Sequence, residues 1–116
     1  RPAALPDLQS TRELLWAGAG VLRDGTSLQL IADIAPDALQ SRAAAIATPA
    51  DVLVAMLVAR AALIREESRG GHFRTDHPAE RPEWTKHIVQ RVGQQPQIGS
   101  LGDALARRST QPVSPA

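Results

Sequence analysis

The stretch "TPADVLVAMLVARAALIREE", Thr48 to Glu67, constrains this chain more than any other. From Val52 to Ala59 every residue is apolar, so a helix built from it has no polar face to turn to water. Such a helix belongs at the centre, with other elements packed around it. The run is far short of the roughly 18 residues a membrane span needs. The start is written in the residues before it. Thr48 is the expected N-cap, Pro49 takes the first helical position, where a missing N–H costs nothing, and Asp51 follows in the first turn. Charge returns at Arg60 and dominates from Arg65, and Gly70-Gly71 is the expected stop, because glycine accepts the left-handed geometry of a helix end.

The partners of this central helix are legible upstream. Leu8, Leu15, Ala19 and Leu22 recur at helical spacing, with Leu14, Ala17 and Val21 beside them. This helix, capped by Asp7 or Ser10, is expected to end near Gly18–Gly20. Asp24-Gly25 reads as a turn. A second helix from Thr26 or Ser27 carries Leu28, Ile31 and Ile34 and ends at Pro36, which lacks the amide hydrogen a helix interior requires. A further segment, Asp37 to Ile46, places Leu39, Ala43 and Ile46 on one face. Downstream, "HIVQRV" at 87–92 is expected as a short strand with Ile88, Gln90 and Val92 on one side. Residues 93–116 are rich in Gly, Pro, Ser and Gln, with a short helix expected from Ser100 to Arg108 and a mobile end.

The fold expected is all-α: a three-helix bundle, spectrin-repeat-like, followed by an irregular C-terminal tail. Residues 1–7 form the entry, 8–78 the bundle with a charged loop at its end, and 79–116 an extended, partly mobile tail. A chain of 116 residues suits one domain, and 43% hydrophobic with 22% charged residues suits a globular one. Trp16, Phe73 and Trp84 are the only aromatics, so the core must be built from Leu, Ile, Val and Ala.

Composition also removes function classes. There is no cysteine, which excludes disulfides, thiolate metal centres and cysteine nucleophiles. A net charge of +1 gives no bulk attraction to polyanions. No signal peptide is visible, and the chain begins at Arg1; it is expected to be a piece of a longer, cytoplasmic protein. Gly18 and Gly20 make only a bare G-x-G, without the third glycine or the preceding strand of a dinucleotide site. "WAGAGV" reads instead as small residues that let helices approach.

The chemistry-bearing stretch is "REESRGGHFRTDHP", Arg65 to Pro78. It gathers three arginines, two glutamates, two histidines, an aspartate and a glycine pair. His72, Asp76 and His77 are metal-ligand types, but the spacing matches no strong zinc pattern and the arginines oppose a cation. Ser68 and His72 lack the strand–turn–helix setting of a nucleophile elbow. Glu66, Glu67 and Asp76 interrupt any phosphate track along Arg60, Arg65, Arg69 and Arg74. What remains is docking. Arginine pairs bidentately with carboxylates and carbonyls, and a glycine pair lets another backbone come close. Arg65, Arg69, Gly70, His72, Arg74 and Asp76 are the candidate docking residues. No catalytic, cofactor-binding or metal-binding residue is assigned, and a freestanding helical interaction module is the alternative.

The same stretch, followed by "EWTKHIV", resembles the C-terminal helical domain of the succinate dehydrogenase and fumarate reductase flavoprotein family. A Ser-Arg-Gly segment with spaced His, Arg, Asp and Pro, then a tryptophan and a Lys-His pair, is its signature; Trp84 and Lys86-His87 take those places here. "LLWAGAGVLRDG" upstream is most similar to the L-aspartate oxidase branch. The resemblance covers roughly Leu8 to Val92. It implies an FAD enzyme whose FAD-binding and capping domains precede this module and carry the flavin and dicarboxylate sites. It implies no FAD on this chain. Those two domains are the implied partners, with quinolinate synthase as the enzyme that takes the iminoaspartate product. It also implies that the charged groups of 65–78 look unpaired until the flavin domain covers them.

Overall fold

A computed structural model of the chain describes residues 5–100. This part is mostly helical, with four α-helices, α1 (Leu8–Ala19), α2 (Gly25–Ala32), α3 (Arg42–Ile46) and α4 (Ala50–Ile64), and two short strands, β1 (His87–Val89) and β2 (Gln97–Gly99). Three of the helices, α1, α2 and α4, each pack on the other two.

Local chemistry sets the helix starts. Asp7 accepts from the Ser10 amide, Asp24 from that of Ser27 and Ser41 from that of Ala44, so three N-termini have a side-chain cap. The Asp24-Gly25 pair, expected as a turn, is therefore a cap and the first residue of α2. The fourth start differs from expectation. Thr48 does not cap α4; its hydroxyl is drawn back to the Ala44 carbonyl at 2.8 Å, where it closes the end of α3.

The interior falls into two adjoining clusters. In one, Ala55, Ala59 and Ala62 of α4 meet Leu28, Ile31 and Ala32 of α2 and Ala19 of α1. In the other, Val52 and Met56 meet Ala38 and Leu39 from the turn after α2. Alanines along α4 let α2 come close, and Gly18 does the same for α1: a methyl group there would lie 2.7 Å from Ile31 Cδ1. The small-residue reading of "WAGAGV" is thus realised.

Several expectations need correction. α4 is central but not buried all round, since Val54 and Val58 face outward at 55% and 36% exposure. It ends at Ile64, before the glycine pair, because Arg65 leaves helical geometry. On α1 the buried positions are Thr11, Gly18 and Ala19, while Leu8, Leu14 and Trp16 are exposed. The Asp37–Ile46 segment is a turn followed by the five-residue α3, and Ile46 faces outward. The tail is more ordered than an irregular one: β1 and β2 pair antiparallel, Ile88 opposite Ile98. Gln90 Nε2 donates to the Leu57 carbonyl of α4 at 2.8 Å, and the Gly93 amide to Leu39. The helix expected from Ser100 to Arg108 and the mobile end lie, beyond Ser100, outside the described residues. Among the described residues no helix is long and apolar enough to cross a membrane.

Candidate functional site: the charged loop after α4

The loop from Arg65 folds back on the bundle, because its charged side chains pair with one another and with carbonyls at the end of α4 and in residues 81–86. Its first turn runs through Arg69 and His72, which exchange both backbone hydrogen bonds at 2.8 and 2.9 Å. Gly70 between them has φ +57, a conformation glycine enters without penalty. The returning strand then lies along the α1–α2 connection. The Arg23 amide donates to Phe73 O, and the Thr75 amide donates to Arg23 O.

Arg74 is 3% exposed. Its Nε and Nη2 fork onto Asp76 at 3.0 and 2.6 Å, and Nη1 donates to the Leu63 carbonyl at 2.7 Å. That carbonyl belongs to the last turn of α4, which has no intrahelical donor of its own, so a guanidinium satisfies it and complements the negative end of the helix. Asp76 in turn accepts from the Gly25 amide at 2.9 Å, at the start of α2. One Arg–Asp pair thereby ties the end of α4 to the beginning of α2. The Arg74 bond holds the Asp76 carboxyl below its usual range, and the Gly25 amide adds to this. A Cβ at position 25 would lie 2.9 Å from both Arg74 Nη2 and Asp76 Oδ2, so a side chain there would have to displace the ends of the pair.

Glu67 forms a second centre and is fully inaccessible to solvent. It accepts from Arg65 Nη1 at 2.7 Å, Arg69 Nε at 3.0 Å and the Arg81 amide at 2.9 Å. Burial pushes its carboxyl up, but the bonds from Arg69, the Arg81 amide and Arg65 outweigh this and bring it from 4.5 to about 2. Arg65 continues outward. It donates to the carbonyls of Trp84 and Lys86, and its guanidinium lies 5.1 Å from the centre of the Trp84 ring. The loop is thereby joined to β1.

His72 bridges two elements. Its Nδ1 lies 3.0 Å from Arg23 Nη1, and its Nε2 lies 3.1 Å from the Arg65 carbonyl. Guanidinium only donates and carbonyl only accepts, so the ring is neutral with its proton on Nε2. Burial lowers the His72 pKa, more than the Arg65 carbonyl bond raises it, and the nearby arginines push the same way. Ser68 is buried and holds backbone: it accepts from the Arg74 amide and donates to the His77 carbonyl. The hydroxyl has no base beside it.

All six candidate docking residues thus belong to one small region. The expectation that its charges stand unpaired is incorrect, since Arg65, Arg69, Arg74 and Asp76 all pair within the chain. Sequence reasoning missed Glu67, Arg23 and Arg81 as parts of it. In the sequence Glu67 only interrupts a possible phosphate track; the three donors around it mark it out. Arg23 had a signal, its place in "GVLRDG". Among the described residues no group of three or more metal-ligand side chains comes together.

The family profile described as "Fumarate reductase flavoprotein C-term" matches residues 31–112. The chain belongs to this family. The family profile takes in the whole charged loop, α4 and the strand pair. Among curated relatives, the chain is 36% identical to an L-aspartate oxidase of Rhodospirillum rubrum over 113 residues, covering 90% of this chain and 38% of that protein. It is 38% identical to the L-aspartate oxidase of Caulobacter vibrioides over 79% of this chain and 18% of that one. A fumarate reductase (CoM/CoB) subunit of Methanothermobacter marburgensis is 51% identical over a shorter stretch, 40% of this chain and 9% of its own length. The chain therefore spans well under half the length of the relatives it matches.

The flavoprotein family implies a flavin in the parent protein, but the described residues do not fit a flavin dinucleotide. A dinucleotide cradle is a glycine-rich turn between a strand and a helix N-terminus. The strands here are one antiparallel pair, and Gly18 and Gly20 stand at the end of a helix.

Proposed function

We propose that this chain is the C-terminal domain of an FAD-dependent L-aspartate oxidase, which converts L-aspartate to iminoaspartate for quinolinate synthase. The observation that carries the reading is the run of L-aspartate oxidase relatives that cover most of the chain, the Rhodospirillum rubrum protein above all. In this reading FAD and the dicarboxylate are held by the FAD-binding and capping domains of the same polypeptide. The helical domain packs on them and has no activity alone.

The loop contributes to that packing in two ways. The buried Arg74, with Asp76 beside it, holds the shape, while Arg69, Gly70, the half-buried His72 and the exposed Phe73 form the outer edge that meets the flavin domain. Arg65 joins that edge to the strand pair. The outward stripe Val54, Val58 and Ala61 on α4 extends the same face, with Arg23, Arg65 and His72 around a shallow hollow beside it.

The test is the complete polypeptide. Purified with FAD, it should release peroxide with L-aspartate and not oxidise succinate, while the 116-residue chain should be colourless. Succinate oxidation or fumarate reduction without aspartate oxidation would favour the second reading, a fumarate reductase-type flavoprotein, which the Methanothermobacter marburgensis relative supports. Stoichiometric FAD on the short chain would overturn both.

A further inference from the structure

A cleft of about 260 Å³ opens between α2, the turn after it and α4. Its polar members are Gln29, Asp33, Gln40 and Arg60, and its accessible apolar wall is Pro36 and Leu63, with the buried Met56 beneath. Two charges of opposite sign line this one concavity, yet no ion pair joins them. Asp33 takes only the Gln29 amide, at 2.8 Å on Oδ2. The Arg60 side chain has no hydrogen bond or ion pair among the described residues. The other arginine of which this is true, Arg12, is exposed, whereas Arg60 is half-buried. An arginine left without a partner in a concave site is a ready receptor for a carboxylate, which it can take bidentately.

The position of Asp33 is also informative. It is the C-cap of α2, where the helix dipole disfavours an acid and favours a cation. A ligand ammonium placed there meets a carboxylate and the negative end of a helix together. The cleft thus offers a cation site, an anion site and an apolar wall within a volume suited to one small molecule.

We propose that this cleft binds a free α-amino acid with an apolar side chain. The carboxylate lies on Arg60, the ammonium on Asp33 and the end of α2, and the side chain against Pro36 and Leu63. The proposal goes beyond the flavoprotein reading and does not depend on it.

The experiment is an amide-resolved NMR titration of the 116-residue chain with L-leucine. Saturable shifts are expected at Asp33, Gln40 and Arg60. N-acetyl-L-leucine lacks the ammonium and L-leucinamide lacks the carboxylate; each should bind about tenfold more weakly or worse. Arg60→Gln and Asp33→Asn should show the same loss, and Arg12→Gln none. Absence of saturable shifts up to the solubility of leucine overturns the proposal. So does equal binding of either analogue, a comparison that uses the unaltered chain and stands even where a variant fails to fold.

Discussion

Arg74 and Asp76, two residues apart, form a forked pair whose arginine also reaches the last turn of α4 and whose aspartate reaches the first amide of α2. The pair is part of the domain's own architecture before any neighbour arrives. Arg74→Ala should therefore destabilise the isolated chain and not only the parent protein. Breaking a buried pair costs roughly 3–5 kcal/mol, and Asp76 is partly exposed, so about 2–3 kcal/mol is expected in urea unfolding. Arg74→Lys should recover less than half, because an ammonium cannot serve both carboxylate oxygens and the Leu63 carbonyl in one plane. An unchanged midpoint for Arg74→Ala would show that the pair contributes only in the assembled enzyme.

Glu67→Gln tests the second centre. The amide keeps the shape but removes the charge facing Arg65 and Arg69 and turns a donor toward one of them. The carboxylate is sealed by side chains but lies under thin cover, so water screens the loss, and about 2 kcal/mol is expected. The readout is the unfolding midpoint; Glu67→Ala, which leaves the Arg81 N–H without its side-chain acceptor, should in addition speed amide exchange at Arg81. Unaltered exchange there would contradict the geometry.

How much of this was legible in the sequence differs between backbone and charge. The α4 run, the stop before Pro36 and the strand at 87 follow from hydrophobic periodicity and from proline chemistry, which act locally. The capping role expected of Thr48 failed because a carbonyl of α3 competed for its hydroxyl, and periodicity cannot see a competitor. The charged stretch was found by composition, but its internal pairing was not. Arg74 reaches Leu63 and Arg23 meets His72 only because the loop doubles back, and a turn at Gly70 does not by itself say which carboxylate each arginine meets. Glu66 and Glu67 are adjacent and chemically alike; one is exposed and the other fully enclosed.

The pH dependence follows from His72 and Glu67, with separate windows. Folding lowers the His72 pKa, so the unfolded chain binds the extra proton first. Its contribution is complete above about pH 6.5 and is lost as the pH falls below that value. The Glu67 pKa is also lowered, from 4.5 to about 2, so its contribution is present above 4.5 and is lost as the pH falls toward 2. Melting temperature should therefore decline in two stages on acidification. His72→Gln should remove the first stage and leave the second. A single decline, unaffected by that substitution, would show that the neutral ring does not matter to stability.

The outward face of α4 separates the domain's own needs from those of its neighbour. Val54 and Val58 are exposed, so Val54→Asp and Val58→Asp should change the stability of the isolated chain by no more than about 0.5 kcal/mol. In the complete flavoprotein, the proposed packing would bury those carboxylates in an apolar contact without a partner. That costs several kcal/mol, enough to loosen the domain. Limited proteolysis reads the difference. The parent carrying both substitutions should release this domain sooner than the unaltered parent, with the isolated chains melting alike. Equal release rates would place the flavin-facing surface elsewhere on the bundle.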